Sequence, residues 1–399
     1  MGQFSLLVIV NAFVGGMVGL ERTILPELAQ ADFAIASQSA ILSFVIIFGV
    51  TKAIANYYAG RWASQVGRKN LLVLGWIVAL PIAPLLMWAP SWNWVLVANG
   101  LLGINQGLAW SSTVVMKIDL VGPNQRGLAM GINEFAGYVS VGLAAFGTGW
   151  IAATYGLRPY PFYLGIGLSV IGLLLSTMAV RDTASFVRQE EAHPKANTVP
   201  KMTHPFAETT WRNPVLSSIT QAGLVNNLND GMVWGLFPLL LAGAGLSLSE
   251  VAVVVAIYPA VWGVGQLITG RLADVWSHRT MLSIGMMVQA AALSVFLLDA
   301  PVTRYVLGAI VLGVGTAVVY PTFLVAISAA THPADRAASI GVFRMWRDLG
   351  YAIGALLTGV IADLFSIQAA VATVALLTLG SGGVVWVRMP NHNAQDRRK

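Results

Sequence analysis

The sequence predicts an all-α membrane protein built from twelve transmembrane helices in two pseudo-symmetric bundles of six. Three observations predict it. Of 399 residues, 56% are hydrophobic and only 10% charged, with a mean hydropathy of +0.72; covering a soluble surface takes roughly 25% charged residues. Apolar runs of about 20 residues, enough to cross a hydrocarbon core of about 30 Å, recur along the whole chain. Finally, the second half repeats the first in register.

Reading apolar runs against polar breaks places the spans at 4–27, 36–59, 70–89, 92–117, 127–153, 160–180, 214–243, 249–269, 279–299, 303–329, 337–363 and 367–387. The opening MGQFSLLVIVNAFVGG lacks a basic leader and runs on as a full span, so it is read as the first helix. Alternate breaks hold the cations: Arg61, Arg68 and Lys69; Lys117 and Arg126; Arg271 and Arg279; Arg336. The segment 181–212 adds Arg181, Arg188, Lys195, Lys201 and Arg212, and the end adds Arg388, Arg397, Arg398 and Lys399. Opposite breaks offer little beyond Arg158 and Arg304. Lys and Arg stay on the cytoplasmic side, so both termini and 181–212 are expected inside, in a bacterial inner membrane. The domains are then a bundle over 1–180, a hydrophilic linker over 181–212, a bundle over 213–390 and a tail over 391–399. The net charge of +6 follows from this topology, and no basic patch with interleaved aromatics suggests nucleic acid. A lipid bilayer, a small-molecule solute and protons are the expected partners, and the chain is expected to be monomeric.

The repeat is concrete. Gly60 aligns with Gly270, an offset of 270 − 60 = 210. The same offset pairs Arg61 with Arg271, Lys69 with Arg279, Gly75 with Gly285, Gly103 with Gly313, Trp110 with Tyr320, Arg126 with Arg336 and Gly131 with Gly341. Lys52 and Asn56 pair with Trp262 and Gln266. Repeated sets of spans are how secondary transporters build alternating access.

The loop GRWASQVGRK between spans two and three (Gly60, Arg61, Ser64, Gly67, Arg68, Lys69), echoed by GRLADVWSHR between spans eight and nine (Gly270, Arg271, Asp274, Arg279), resembles the Gly-x-x-x-Asp-x-x-Gly-Arg-Lys signature of the major facilitator superfamily. Span count, 6+6 repeat and central linker extend the likeness over essentially the whole chain. It implies a fold with a midplane cavity between two bundles, lined by spans one, four, seven and ten, and transport by alternating access. In that family the loop's acidic residue caps a helix from the opposite half. A carboxylate suits the positive end of a helix dipole and a serine is a neutral cap, so a weak latch is expected at Ser64 and a stronger one at Asp274. Two further departures, Asn99 where drug/proton antiporters often carry Arg and a span five (GYVSVGLAAFGTGW) without their proline, count against a typical multidrug antiporter.

Ionisable groups inside spans cost about 2.5–3.5 kcal/mol on insertion scales and read as functional by default. Span eleven carries Arg344, Arg347, Asp348 and Tyr351 at i, i+3, i+4 and i+7, one helix face. This stripe is either a structural Arg344–Asp348 pair or a substrate and coupling site. Lys52 in span two is a gate partner for Asp348 or a substrate ligand. Glu134 in span five has no cation on its own helix, which makes it a proton carrier, the competing reading being a fixed bridge to a neighbouring span. In span four Gln106, Trp110, Thr113 and Lys117 share a face, repeated by Thr316 and Tyr320 in span ten; cavity lining competes with plain packing. Span seven adds Asn227, Asp230 and Trp234, and its asparagines beside glycines predict a bent or unwound helix. Arg22, sharing a face with Asn11 and Gly15, is a cavity or gate residue; Glu21 is expected in an outer salt bridge, and Lys117 and Asp119 can be read as interfacial snorkelling.

No spacing here matches a nucleophile with its base, a phosphate loop or a metal cluster, and His193, His204, His278, His332 and His392 fall outside the spans. Neither enzyme activity, metal nor cofactor is expected. The reading is a secondary transporter of a small charged or zwitterionic organic solute, anion favoured and proton-coupled. The alternatives are an antiporter exporting lipophilic cations and a non-transporting sensor on the same fold.

Overall fold

The structure, a computed structural model, describes residues 2–22, 24–35, 43–121, 125–192, 199–246, 248–298 and 301–390. Among them every regular element is helical. The main helices are α1 (Gln3–Arg22), α2 (Leu25–Ala31), α3 (Ser43–Trp62), α4 (Arg68–Ala79), α5 (Ile82–Met87), α6 (Trp92–Leu120), α7 (Arg126–Tyr155), α8 (Tyr163–Met178), α9 (Ala184–Glu191), α10 (Pro214–Gly243), α11 (Leu248–Ala273), α12 (His278–Val295), α13 (Val302–Ala330), α14 (Arg336–Leu364) and α15 (Ile367–Arg388). Seven stretches among the described residues are long and apolar enough to cross a membrane on their own: Gln3–Glu21, Arg68–Met87, Arg126–Tyr155, Tyr160–Met178, Val253–Ala273, Val302–Ala330 and Ile367–Arg388. Other long helices carry polar or charged side chains that lie buried, such as Lys117 on α6 and Arg344 on α14. The outer surface is apolar, with Leu143, Phe146, Met178, Leu376 and Val387 each at least 67% exposed. Exposed apolar side chains of that size suit lipid rather than water.

Several expected boundaries move. The first span, read as 4–27, is α1 followed by the separate α2, and Pro81 separates α4 from α5 within the third. Span seven does not unwind: α10 is α-helical from Pro214 to Gly243. Its Gly231 instead permits close approach, since a Cβ there would meet the Tyr351 carbonyl oxygen at 2.6 Å. The hydrophilic segment 181–212, expected as a linker, carries helical structure among its described residues. It holds α9 and helical turns over Pro205–Ala207 and Glu208–Arg212.

The chain forms two compact units, and each includes a piece from the other half of the sequence. One comprises Met1–Leu120, Asn133–Lys201 and His332–Gly341; the second comprises Val121–Ile132, Met202–Thr331 and Val342–Lys399. The exchanged pieces are repeat mates to within one residue at each end, since 121–132 moved by 210 is 331–342 and the other piece is 332–341. Close backbone contacts obey the same offset. A Cβ on Gly60 would meet the Ala337 carbonyl oxygen at 2.5 Å and Gly341 Cα at 2.7 Å; one on Gly270 would meet the Gly127 carbonyl oxygen and Gly131 Cα. Likewise Gly103 faces the Phe48 carbonyl and Gly313 the Tyr258 carbonyl, at 2.6 and 2.8 Å. Small residues let helix backbones touch where lipid offers no hydrophobic drive to association.

Candidate transport site

In the first unit a cluster forms around Trp110, 4% exposed on α6. Its indole N–H donates to Glu134 Oε1 at 3.2 Å, and Asn133 Nδ2 donates to the same oxygen at 2.6 Å. Both of these partners of Glu134 are neutral N–H donors. The Lys52 ammonium lies 5.8 Å from the Trp110 ring centre and 5.4 Å from that of Phe48, within range of a cation–π attraction. Tyr138 packs against Trp110 at 5.7 Å. Asn11 ties α1 into the cluster, donating to the Asn133 carbonyl and accepting from Thr113. Gln106 donates to the Val14 carbonyl at 2.8 Å. Trp110, Thr113 and Gln106 are thus on one polar seam with Lys52 and Glu134.

In the second unit the ring at the repeat-related position, Tyr320, lies under Arg347, whose guanidinium carbon is 5.3 Å from the ring centre. Arg347 also donates through Nε and Nη2 to Asp348 Oδ1, at 2.9 and 2.7 Å, so Asp348 is engaged by its immediate neighbour. Asn227 adds an N–H to the same carboxylate at 3.4 Å. The chain of amides continues away from the charges: Asn226 to Asn227, Gln289 to Asn226, Asn229 to Gln289, and Thr378 to Asn229. Asp230, fully buried, accepts from the Tyr258 hydroxyl and, at 3.4 Å, from Tyr351. Tyr258 also meets Thr316 at 3.3 Å and stacks on Trp262, which lies 4.8 Å from Tyr320. Arg344 is 1% exposed on the same helix as Arg347. Trp234 departs from its expected companions: it is 40% exposed while Asn227 and Asp230 are fully buried.

The loops differ in how they are held. Asp274 caps α7: Oδ1 accepts from Gly127 N at 2.6 Å and Oδ2 from Leu128 N at 3.0 Å. Those N–H groups are orphans of the helix start. Burial pushes the Asp274 carboxyl above its ordinary value of 3.8, opposed by the two backbone N–H groups and by Arg271. Ser64 does not cap anything among the described residues; it is exposed and makes no hydrogen bond to them. The start of α4 beside it is held by other groups. Gly67, at φ +89°, turns the chain into α4, and Asp182 accepts from Lys69 N and from Ala184 N. Lys69 Nζ binds the Thr177 carbonyl, while Arg279 lies over the Trp386 ring at 4.2 Å.

Two snorkelling expectations are overturned. Lys117 is fully buried and donates to the Leu7 carbonyl at 3.2 Å. Asp119 lies inside an ion cluster, 3.0 Å from Arg68 Nε and 3.6 Å from Arg336 Nη1, with Thr183 donating to it at 2.8 Å. Arg336 binds Glu190 of α9 with both terminal nitrogens, at 2.8 and 3.0 Å. A fork-to-carboxylate pair of this kind is the strong form of the interaction, and it ties α9 to the start of α14. Sequence reasoning missed this cluster because its members are far apart in the chain. Glu21, expected in a salt bridge, accepts from Asn99 Nδ2 at 3.2 Å. The side chain of Arg22 lies outside the described residues, as do His193, Lys195, His392 and the tail 391–399. Tyr258 was also missed, although the offset that links Gly103 with Gly313 leads to it from Phe48.

Fold and clusters together define a polytopic all-helical membrane protein with charged and aromatic groups buried in each of its two units. The Major Facilitator Superfamily profile matches residues 6–225 and again 219–399; the chain belongs to this superfamily, whose members are transporters rather than enzymes. Among curated relatives it is 24% identical over 184 residues to Multidrug resistance protein 2 of Bacillus subtilis, covering 46% of this chain and 43% of that protein. It is 24% identical over 238 residues to Multidrug resistance protein MdtG of Escherichia coli, 57% of this chain and 55% of that one. These matches span about half the length of each relative. Among solved structures, the human organic anion transporter MFSD10 superposes with a TM-score of 0.74 at 16% identity, over 96% of this chain and 100% of that one. A single-residue variant of the E. coli fucose:proton symporter FucP gives 0.76 at 12%, over 97% and 98%. Identities this low show the shared fold alone.

Proposed function

We propose that the protein is a secondary active transporter of a small charged or zwitterionic organic solute, anion favoured, coupled to protons and working by alternating access. One observation carries the reading. At the repeat-related positions 110 and 320 each half buries an aromatic ring with a cation over its face, Lys52 in the first and Arg347 in the second. A ring beside a cation suits an organic solute bearing negative charge, and buried cations in spans are functional by default. Glu134, held by two neutral N–H donors, is the group proposed to take up and release the proton. Two structural neighbours that differ widely, by name an organic anion transporter and a fucose:proton symporter, are compatible with this class.

The same carboxylate supports a second reading. A buried acid bound by neutral donors is what a lipophilic cation and a proton would compete for, and the sequence relatives are multidrug resistance proteins by name. A thermal-shift screen separates the two, using organic anions, amino acids and lipophilic cations at two pH values. Binding to the folded state alone stabilises by about 2.7 kcal/mol at a hundredfold excess over Kd. Stabilisation by anions that vanishes in Arg344→Ala and Arg347→Ala supports the first reading. Stabilisation by cations at high pH, lost in Glu134→Gln or Asp230→Asn, replaces it with the second.

A further inference from the structure

Gln266 sits on α11 four residues after Trp262 and eight after Tyr258, so the three share one face. It is fully buried, yet neither Oε1 nor Nε2 makes a hydrogen bond. Every other fully buried Asn or Gln among the described residues makes at least one, from Asn11 in the first unit to Gln289 in the second. Its repeat mate shows what is missing. Asn56, at 266 − 210, accepts a hydrogen bond from the Ser111 hydroxyl. The position equivalent to Ser111 is 111 + 210 = 321, a proline, which has neither hydroxyl nor N–H to offer. The nearby hydroxyl of Thr269 is already committed: it donates at 2.6 Å to the Ala317 carbonyl, the group that residue 321 would have bonded had it carried an N–H.

A buried amide with nothing bonded carries the full desolvation penalty of both its ends, and an apolar side chain of similar volume would avoid it. The position is therefore poorly explained by packing alone. One turn before it on the same face of α11 lies Trp262. That ring belongs to the stack of Tyr258, Trp262 and Tyr320, with Arg347 over Tyr320. We infer that Gln266 is a solute-binding residue of the second unit, its amide N–H taking the carboxylate of a planar aromatic acid whose ring is read by the Trp262–Tyr320 face. The inference rests on the transporter reading above and narrows its solute class.

Three probes share one ring and differ in head group: benzoate, benzamide and benzylamine. Thermal midpoints of the detergent-purified full chain are measured with each, for the wild type, Gln266→Leu and Gln266→Glu. The wild type is expected to be stabilised most by benzoate. Gln266→Leu is expected to raise the midpoint without ligand, because two orphan groups are removed, and to weaken the apparent benzoate affinity at least tenfold. Gln266→Glu is expected to lose benzoate and gain benzylamine. Equal benzoate shifts in the wild type and Gln266→Leu overturn the assignment, as does a leucine variant that is destabilised while its ligand response is intact. A wild type stabilised by aliphatic anions but by none of the three probes sinks this inference and leaves the transporter reading standing. A wild type stabilised by no organic ion at all sinks both.

Discussion

The clusters around Trp110 and Tyr320 begin from equivalent positions and end with their carboxylates held in different ways. Both rings have a cation over one face, at 5.8 and 5.3 Å. In the first cluster the cation comes from α3 and the nearby carboxylate, Glu134, accepts from N–H dipoles. In the second it comes from α14 and is locked onto Asp348 in the same helix. The position of Glu134, moved by the offset, is occupied by Arg344 (134 + 210 = 344). The repeat therefore preserves backbone contact and ring placement while reversing the charge at the single pair of positions 134 and 344. Helix crossings tolerate only glycine at the touching points, whereas a charge can be relocated to any helix that faces the same space. One half keeps an acid bonded to neutral N–H donors, and the other keeps an ion pair within one helix.

That difference is open to measurement. The largest effect is expected from Asp348→Ala, which takes this carboxylate from the buried Arg347; breaking a buried pair costs about 3–5 kcal/mol, read as denaturation midpoint. Glu134→Gln keeps an acceptor for both N–H donors and is expected to cost about 1 kcal/mol or less. Equal costs at the two sites would abolish the distinction. Next come the shared contacts. Gly60→Ala and Gly270→Ala each drive a Cβ into backbone, and overpacking costs about 1–3 kcal/mol. The two are expected to match closely, and a large disparity would show that the repeat is not mechanically symmetric.

Smaller effects separate the two loops. Asp274→Ala removes a helix cap and is expected to cost about 0.5–2 kcal/mol, while Ser64→Ala, exposed and unbonded, is expected to stay within about 0.5 kcal/mol. The last effect is one of pH. A carboxyl raised above 3.8 holds its proton more tightly folded than unfolded, so its contribution falls as pH rises through the window above that value. Wild type minus Asp274→Asn stability should decline across that window; a rise would mean that the two N–H bonds outweigh burial.

Much of this architecture is legible in the residues themselves. Composition and hydropathy determine the membrane environment, because a chain with 10% charge cannot cover its surface against water. The offset of 210 determines the repeat and, through Gly60, Gly270, Gly103 and Gly313, the points where backbones touch, since only glycine fits there. Placing charges on the inward stripe of α14 follows from the cost of exposing them to lipid. What tertiary structure alone decided is which groups meet. Glu190 and Arg336 are 146 residues apart, Asp119 and Thr183 are 64 apart, and Arg347 chose its neighbour Asp348, a choice that spacing along a helix face does not foresee. The physical reason is range. A hydropathy pattern is summed over about twenty residues and survives local error, whereas a hydrogen bond or ion pair exists only when two atoms come within about 3–4 Å, a distance set by the packing of helices far apart in sequence.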